Sequence, residues 1–138
     1  MPSVLIIDDQ PAVHELLEGI VEAAGFESAR ALGGHDALKR YRSRRFDVVL
    51  TDLTMQPMDG LTFLKKLKAY DPQARVIIMT GRDNDINERR AKDLGAEAYV
   101  RKPFKIADLI NLLSAPAPRD SSAFTSNADT RIPAANSS

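Results

Sequence analysis

The apolar positions of this chain follow two rhythms that take turns. Val4 to Ile7 and Val48 to Leu50 are continuous apolar runs of strand length, of the kind buried on both faces of a parallel sheet. Arg75 to Met79 and the brief Ala98-Tyr99-Val100 read the same way, and Phe26 to Ala31 is a weaker strand interrupted by Glu27, Ser28 and Arg30. Between these runs the spacing turns helical. Val13, Leu16, Leu17, Ile20, Val21 and Ala24 form one stripe, opened by Gln10-Pro11 and closed by Gly25. After the Gly33-Gly34 turn, Ala37, Leu38 and Tyr41 support a short second helix. Leu61, Leu64 and Leu67, opposed by Lys65, Lys66 and Lys68, make a third helix that starts near Gly60 and ends at Asp71-Pro72. Ile86, Arg90, Ala91 and Leu94 suggest a fourth, of modest amphipathicity, ending at Gly95. Lys102-Pro103-Phe104 turns into a fifth, which carries Ile106, Leu109, Ile110 and Leu113.

Five strands alternating with five helices predict an α/β fold: a doubly wound, five-stranded parallel sheet with right-handed crossovers, in a flavodoxin-like three-layer sandwich. Five units are too few to close an eight-stranded barrel. The 138 residues make one domain by length. That domain is expected over residues 1–114. From Ala115 the composition changes to Ala, Pro, Ser, Asn, Asp and Thr, so residues 115–138 are expected to form a disordered tail or a linker.

Composition narrows the function by exclusion. Lys plus Arg equals Asp plus Glu at 19 each, so no overall basic field holds phosphates, and no direct nucleic-acid binding by this domain is expected. The densest basic run, Lys39-Arg40, Arg42 and Arg44-Arg45, reads as a solvated helix end. Absence of cysteine removes disulfides, thiolate metal sites and cysteine nucleophiles together. The amino terminus carries no basic leader and no run approaches a membrane span, so no membrane role and a cytoplasmic location are expected.

Chemistry concentrates where the strands stop. The run Phe46 to Asp52 ends on a carboxylate, and Leu53 to Gly60 behind it contains Pro57 and Gly60, which forbid its continuation. Asp8-Asp9, Asp52, Thr80 and Lys102 all fall at or just past strand ends, which a parallel sheet gathers along one edge. Three carboxylates held together raise one another's pKa unless a cation intervenes. An all-oxygen set completed by waters, at roughly 2.0–2.1 Å, suits Mg2+; His14 and His35 lie outside the strand ends, as surface or packing residues, which makes zinc the poorer choice. One aspartate is then placed to attack phosphorus, with Lys102 and the Thr80 hydroxyl contacting phosphoryl oxygens.

Taken together, Asp8-Asp9, Asp52 with Met55, Met58 and Asp59-Gly60 behind it, Thr80-Gly81, and Tyr99 before Lys102-Pro103-Phe104 resemble the receiver domain of bacterial two-component response regulators, over roughly residues 3 to 114. The resemblance implies that Asp52 is the phosphoacceptor. It implies that Asp8, Asp9, Asp52 and the Thr54 main-chain carbonyl hold Mg2+, or Mn2+ in its place. Lys102 and Thr80 contact the phosphoryl group, Thr80 and Tyr99 form a switch pair, and the Lys102–Pro103 peptide is cis. The implied donor is a histidine kinase, a phosphotransfer protein or a small phosphodonor. The implied recipient of the signal is a downstream effector or an output domain beyond this chain. Arg89, Arg90, Lys92, Arg101, Lys105 and Asp108 are candidate partner contacts on the surface of the fourth helix, fifth strand and fifth helix. The sequence departs from the family at one place, where Gln56 stands four residues after Asp52 and Pro57 follows one later.

Such a protein catalyses only its own phosphorylation and dephosphorylation. Two other classes compete with it. An aspartate-nucleophile phosphohydrolase places a second Asp two residues after the nucleophile, where this chain has Thr54. A phosphorylation-independent docking module has no need of Asp8, Asp9, Asp52, Thr80 and Lys102 together.

Overall fold

Side-chain alternation along the strands sorts the apolar residues into two cores, one on each face of a sheet. The structure, a computed structural model, describes residues 2–8, 10–55, 57–81, 85–114 and 125–126. In chain order the elements are β1 (Ser3–Ile7), α1 (Pro11–Ala23), β2 (Glu27–Ala31), α2 (Gly34–Ser43), β3 (Val48–Asp52), α3 (Gly60–Tyr70), β4 (Val76–Thr80), α4 (Asp85–Asp93), β5 (Ala98–Arg101) and α5 (Ile106–Ser114). All strand pairings are parallel, in the spatial order β2-β1-β3-β4-β5. Val4, Ile6, Val48, Leu50, Ile77, Met79, Ala98 and Val100 face Leu17, Ile20 and Val21 of α1 and Leu109 and Leu113 of α5. The alternate residues, Leu5, Ile7, Val49, Val76, Ile78 and Tyr99, face α2, α3 and Ala91 of α4. This is the predicted doubly wound sandwich.

Burial drives the arrangement more than local helix signals do. Val4, Leu5, Ile6 and Ile7 are completely buried, which contributes roughly 1.5–3 kcal/mol each. A helix cap contributes about 1 kcal/mol, and α1 forms with no side-chain cap at all, only Pro11 at its start. It ends at Gly25, whose φ of 95° is a left-handed conformation that suits glycine. The weak β2 persists as a strand through its pairing with β1, and its Arg30 meets Glu18 of α1 at the surface, at 2.6 Å.

Several side chains sit differently from their predicted places. The buried face of α1 is His14, Leu17, Ile20 and Val21, whereas Leu16 is 61% exposed. Positions 14, 17 and 21 share a face, and Leu16 lies about 200° around the helix from His14. Ile86 of α4 is also exposed, leaving Ala91 as that helix's core contact. The basic run after Lys39 is solvent-exposed, as expected of a helix end, with surface ion pairs from Arg40 to Asp36, Arg44 to Glu27 and Arg45 to Asp71 at 3.2 Å. Arg101, expected as a surface contact, is 9% exposed and paired with Glu88 of α4 at 2.8 Å.

The expected tail lies outside the described residues except for Thr125–Ser126. These form β6, which runs parallel to β5 with Ala98 opposite Thr125 and Tyr99 opposite Ser126. The sheet therefore carries a two-residue sixth strand on its β5 edge.

Candidate functional site

Register lines up the strand ends. Ile7 pairs with Thr51, so Asp8 and Asp52 come next to each other at the ends of β1 and β3. Asp52 is level with Met79 and Thr80 with Arg101, which puts Thr80 and Lys102 at the ends of the following two strands. Adjacent strands lie about 4.7–4.9 Å apart, so four residues distant in sequence share one short edge. β1 runs on to α1 on one face and β3 to α3 on the other. Between such diverging connections an open α/β sheet leaves its ligand crevice.

Asp8 is completely buried and held at three atoms. Its N–H donates to the Ala31 carbonyl at 3.3 Å, its Oδ1 accepts from the Gln10 N–H at 2.8 Å, and its carbonyl oxygen lies 2.5 Å from His14 Nε2. Its Oδ2 is buried with no hydrogen-bond partner among the described residues. A buried, unpartnered carboxylate oxygen is costly unless a cation meets it, so Asp8 fits a hard divalent ion. Among the described residues no three acidic, histidine or cysteine side chains form a cluster. Asp9, the other expected carboxylate, lies outside them, as does Gln56.

The β3–α3 loop folds back against the site. Asp52 is half-buried, and its Oδ1 accepts from the Thr54 N–H at 3.3 Å. Leu53 N–H donates to the Met79 carbonyl at 2.7 Å, and Gly60 N–H to the Leu53 carbonyl at 2.8 Å. Asp59 caps α3 by accepting from Thr62 N–H at 2.8 Å. Met55 and Met58 are buried in the α2–α3 core and anchor the loop there, while Thr54 is exposed.

Thr80 and Tyr99 are both completely buried. Because Ile78 pairs with Tyr99, strand alternation puts Thr80 on the same face of the sheet, diagonal to it. The Arg101 guanidinium lies 5.9 Å from the Tyr99 ring centroid and reaches Glu88 on α4. Lys102 is half-buried, its N–H donates to the Thr80 carbonyl at 2.7 Å, and the Lys102–Pro103 peptide is cis. The structure thus aligns Asp8, Asp52, Thr80 and Lys102 on one edge, with Tyr99 in the layer below.

Of the two histidines expected as surface or packing residues, His14 is a packing residue, completely buried. Nothing in its neighbours marks it except its position three residues before Leu17 and seven before Val21, on the face that α1 buries.

Comparison with known proteins follows the same outline. The family model described as response regulator receiver domain matches residues 4–114. Transcriptional regulatory protein PrrA of Mycobacterium bovis is 32% identical over 94% of this chain, which spans only 55% of PrrA. Sporulation initiation phosphotransferase F of Bacillus subtilis is 36% identical over 77% of this chain and 86% of its own length. Among solved structures, response regulator protein TrrA of Thermotoga maritima, in complex with Mg2+–BeF, matches with a TM-score of 0.73 and 28% identity, over 79% of this chain and 93% of that one.

Proposed function

The chain belongs to the response regulator receiver family of two-component signalling, and from that premise we propose that Asp52 accepts a phosphoryl group and thereby switches a protein-interaction surface. The observation that carries the proposal is the pairing of Ile7 with Thr51, which sets the buried Asp8 beside Asp52 with Thr80 and Lys102 on the next strand ends. The related TrrA was solved with Mg2+–BeF. In this chain Asp8, Asp9, Asp52 and the Thr54 carbonyl are the groups that would hold Mg2+, or Mn2+ in its place. When bound, the ion offsets the negative charge shared by the aspartates and the incoming phosphoryl group.

The chain's own residues carry the transfer. An Asp52 carboxylate oxygen attacks the phosphorus of a phosphohistidine on a histidine kinase or phosphotransfer protein. An O–P bond forms as the P–N bond breaks, and the electron pair leaves with the imidazole. A small acyl phosphate serves equally, losing its carboxylate. Lys102 neutralises one phosphoryl oxygen as a point charge, and the Thr80 hydroxyl donates to another. Water later cleaves the acyl phosphate, releasing inorganic phosphate and returning Asp52 to its free carboxylate. Thr54, exposed, stands where an aspartate-nucleophile phosphatase needs a carboxylic acid.

The new charge, about −1.5 to −2, draws Thr80 toward the phosphoryl group and frees space for Tyr99, repacking the surface of α4, β5 and α5. Arg89, Arg90 and Lys92 on α4 and Lys105 just before α5 are exposed and serve as partner contacts. The recipient is an effector protein or an output domain of the kind that a transcriptional regulator longer than this chain carries. Among the described residues no helix is long and apolar enough to cross a membrane, and a cytoplasmic site of action goes with this function.

The test is intact mass after incubation with acetyl phosphate and Mg2+. Wild type gains one base-labile phosphoryl adduct and Asp52→Asn gains none; equal labelling of the two proteins rules the assignment out.

A further inference from the structure

We infer that His14 is a positioning residue for the metal site, acting through the main chain of Asp8. The inference rests on the function just proposed, since it takes Asp8 to be a ligand. His14 is completely buried, and its Nε2 lies 2.5 Å from the Asp8 carbonyl oxygen. A carbonyl oxygen only accepts, so Nε2 must carry a proton and donate. Nδ1 is buried without a hydrogen-bond partner among the described residues. A leucine here would fill the same face of α1 with no polar atom to satisfy, as Leu17 and Val21 do. An imidazole with one unsatisfied nitrogen is a poor choice for packing, and its other nitrogen is what it contributes.

The bond works at a specific place. Two of the three hydrogen bonds holding Asp8 come from its backbone neighbourhood, to Ala31 and from Gln10. The third comes from a side chain six residues on, seated on a helix packed against the sheet. It fixes the carbonyl of Asp8, and with it the main chain of the residue whose buried Oδ2 faces the site. Outer groups that orient ligands in this way typically change metal affinity by about 10–100-fold when removed.

The experiment titrates Mg2+ alone into the protein and follows amide shifts, with Asp8→Asn as the control for the site. Wild type is expected to show shifts along the Asp8 and Asp52 strand ends that Asp8→Asn abolishes; without that difference, the site assignment itself falls and this inference with it. Given that difference, His14→Leu is expected to weaken Mg2+ binding by roughly tenfold or more. His14→Gln, whose amide nitrogen sits the same number of bonds from Cα as Nε2, should recover most of the affinity. Wild-type affinity in His14→Leu, or equal loss in both variants at equal thermal stability, refutes the positioning role while leaving the site intact. Long-range ring correlations on wild type give a check that needs no variant. They should place a proton on Nε2 and move when Mg2+ is added, and an unprotonated Nε2 would overturn the inference.

Discussion

A Cβ atom added to Gly60 would lie 2.5 Å from the carbonyl oxygen of Asp52 and 3.0 Å from Leu53 Cα. The first turn of α3 therefore rests directly on the backbone of the proposed phosphoacceptor, with backbone rather than a flexible side chain in the way. Gly60→Ala must push the loop or the helix aside, and overpacking of this kind costs about 1–3 kcal/mol. The expected outcome is a lower urea midpoint together with slower labelling by acetyl phosphate. Unchanged stability and labelling would mean that the loop yields freely.

Thr80 and Tyr99, on one face of adjacent strands, are expected to be coupled. Adding beryllofluoride and Mg2+ to wild type should shift amide signals around Tyr99, and Thr80→Ala should remove most of that shift while leaving Asp52 able to accept a phosphoryl group more slowly. A full shift at Tyr99 in Thr80→Ala would break the link between the two residues without touching the chemistry at Asp52.

At the opposite end of the sheet, Arg75 grips Glu97 through two hydrogen bonds of 2.7 and 2.8 Å and reaches the Leu112 carbonyl at 3.4 Å. Both side chains are largely buried, 16% and 7% exposed, so Glu97→Gln weakens a desolvated charged pair. A loss of roughly 1.5–3 kcal/mol is expected, insensitive to salt because screening acts on exposed pairs. Phosphoryl incorporation at Asp52 should be unchanged below the melting range, since this pair lies away from the strand ends that hold the site. A stability loss that disappears in 1 M salt would contradict the burial argument.

Tyr41 gives a pH signature. Burial, and then its 2.6 Å hydrogen bond to Asp71, push its phenol from 10.0 up to about 12. A group whose folded pKa is raised contributes stability that is complete below its unfolded value and is lost as pH climbs through the folded one. This contribution, of order 2 kcal/mol, is therefore present up to pH 10 and disappears between about pH 10 and 12. Tyr41→Phe should flatten that fall. It should also raise the Asp71 pKa, which the Tyr41 hydroxyl does most to lower. A carbon-13 titration of Asp71 identical in the two proteins would exclude the bond.

The apolar runs at Val4, Val48, Arg75 and Ala98 were enough to place four parallel strands, because strands buried on both faces leave little choice of residue, while β2, half exposed, was legible only as a weaker candidate. Since parallel strands all end on the same edge, the strand-end positions of Asp8, Asp52, Thr80 and Lys102 were legible as one constellation. Facing and neighbourhood were not. The apolar stripe of α1 admitted Leu16, and only packing against β1 decided that His14 lies inward and Leu16 outward. Gly60 reads as a turn residue until the backbone of Asp52 is found beneath it. Arg101 looks like a surface cation, yet alternation along β5 carries it to the face of Tyr99, where Glu88 of α4 meets it. Local sequence determines which residues can be buried and where strands must stop. Which polar atom meets which depends on how helices seat on the sheet, a balance of many contacts between residues far apart in the chain.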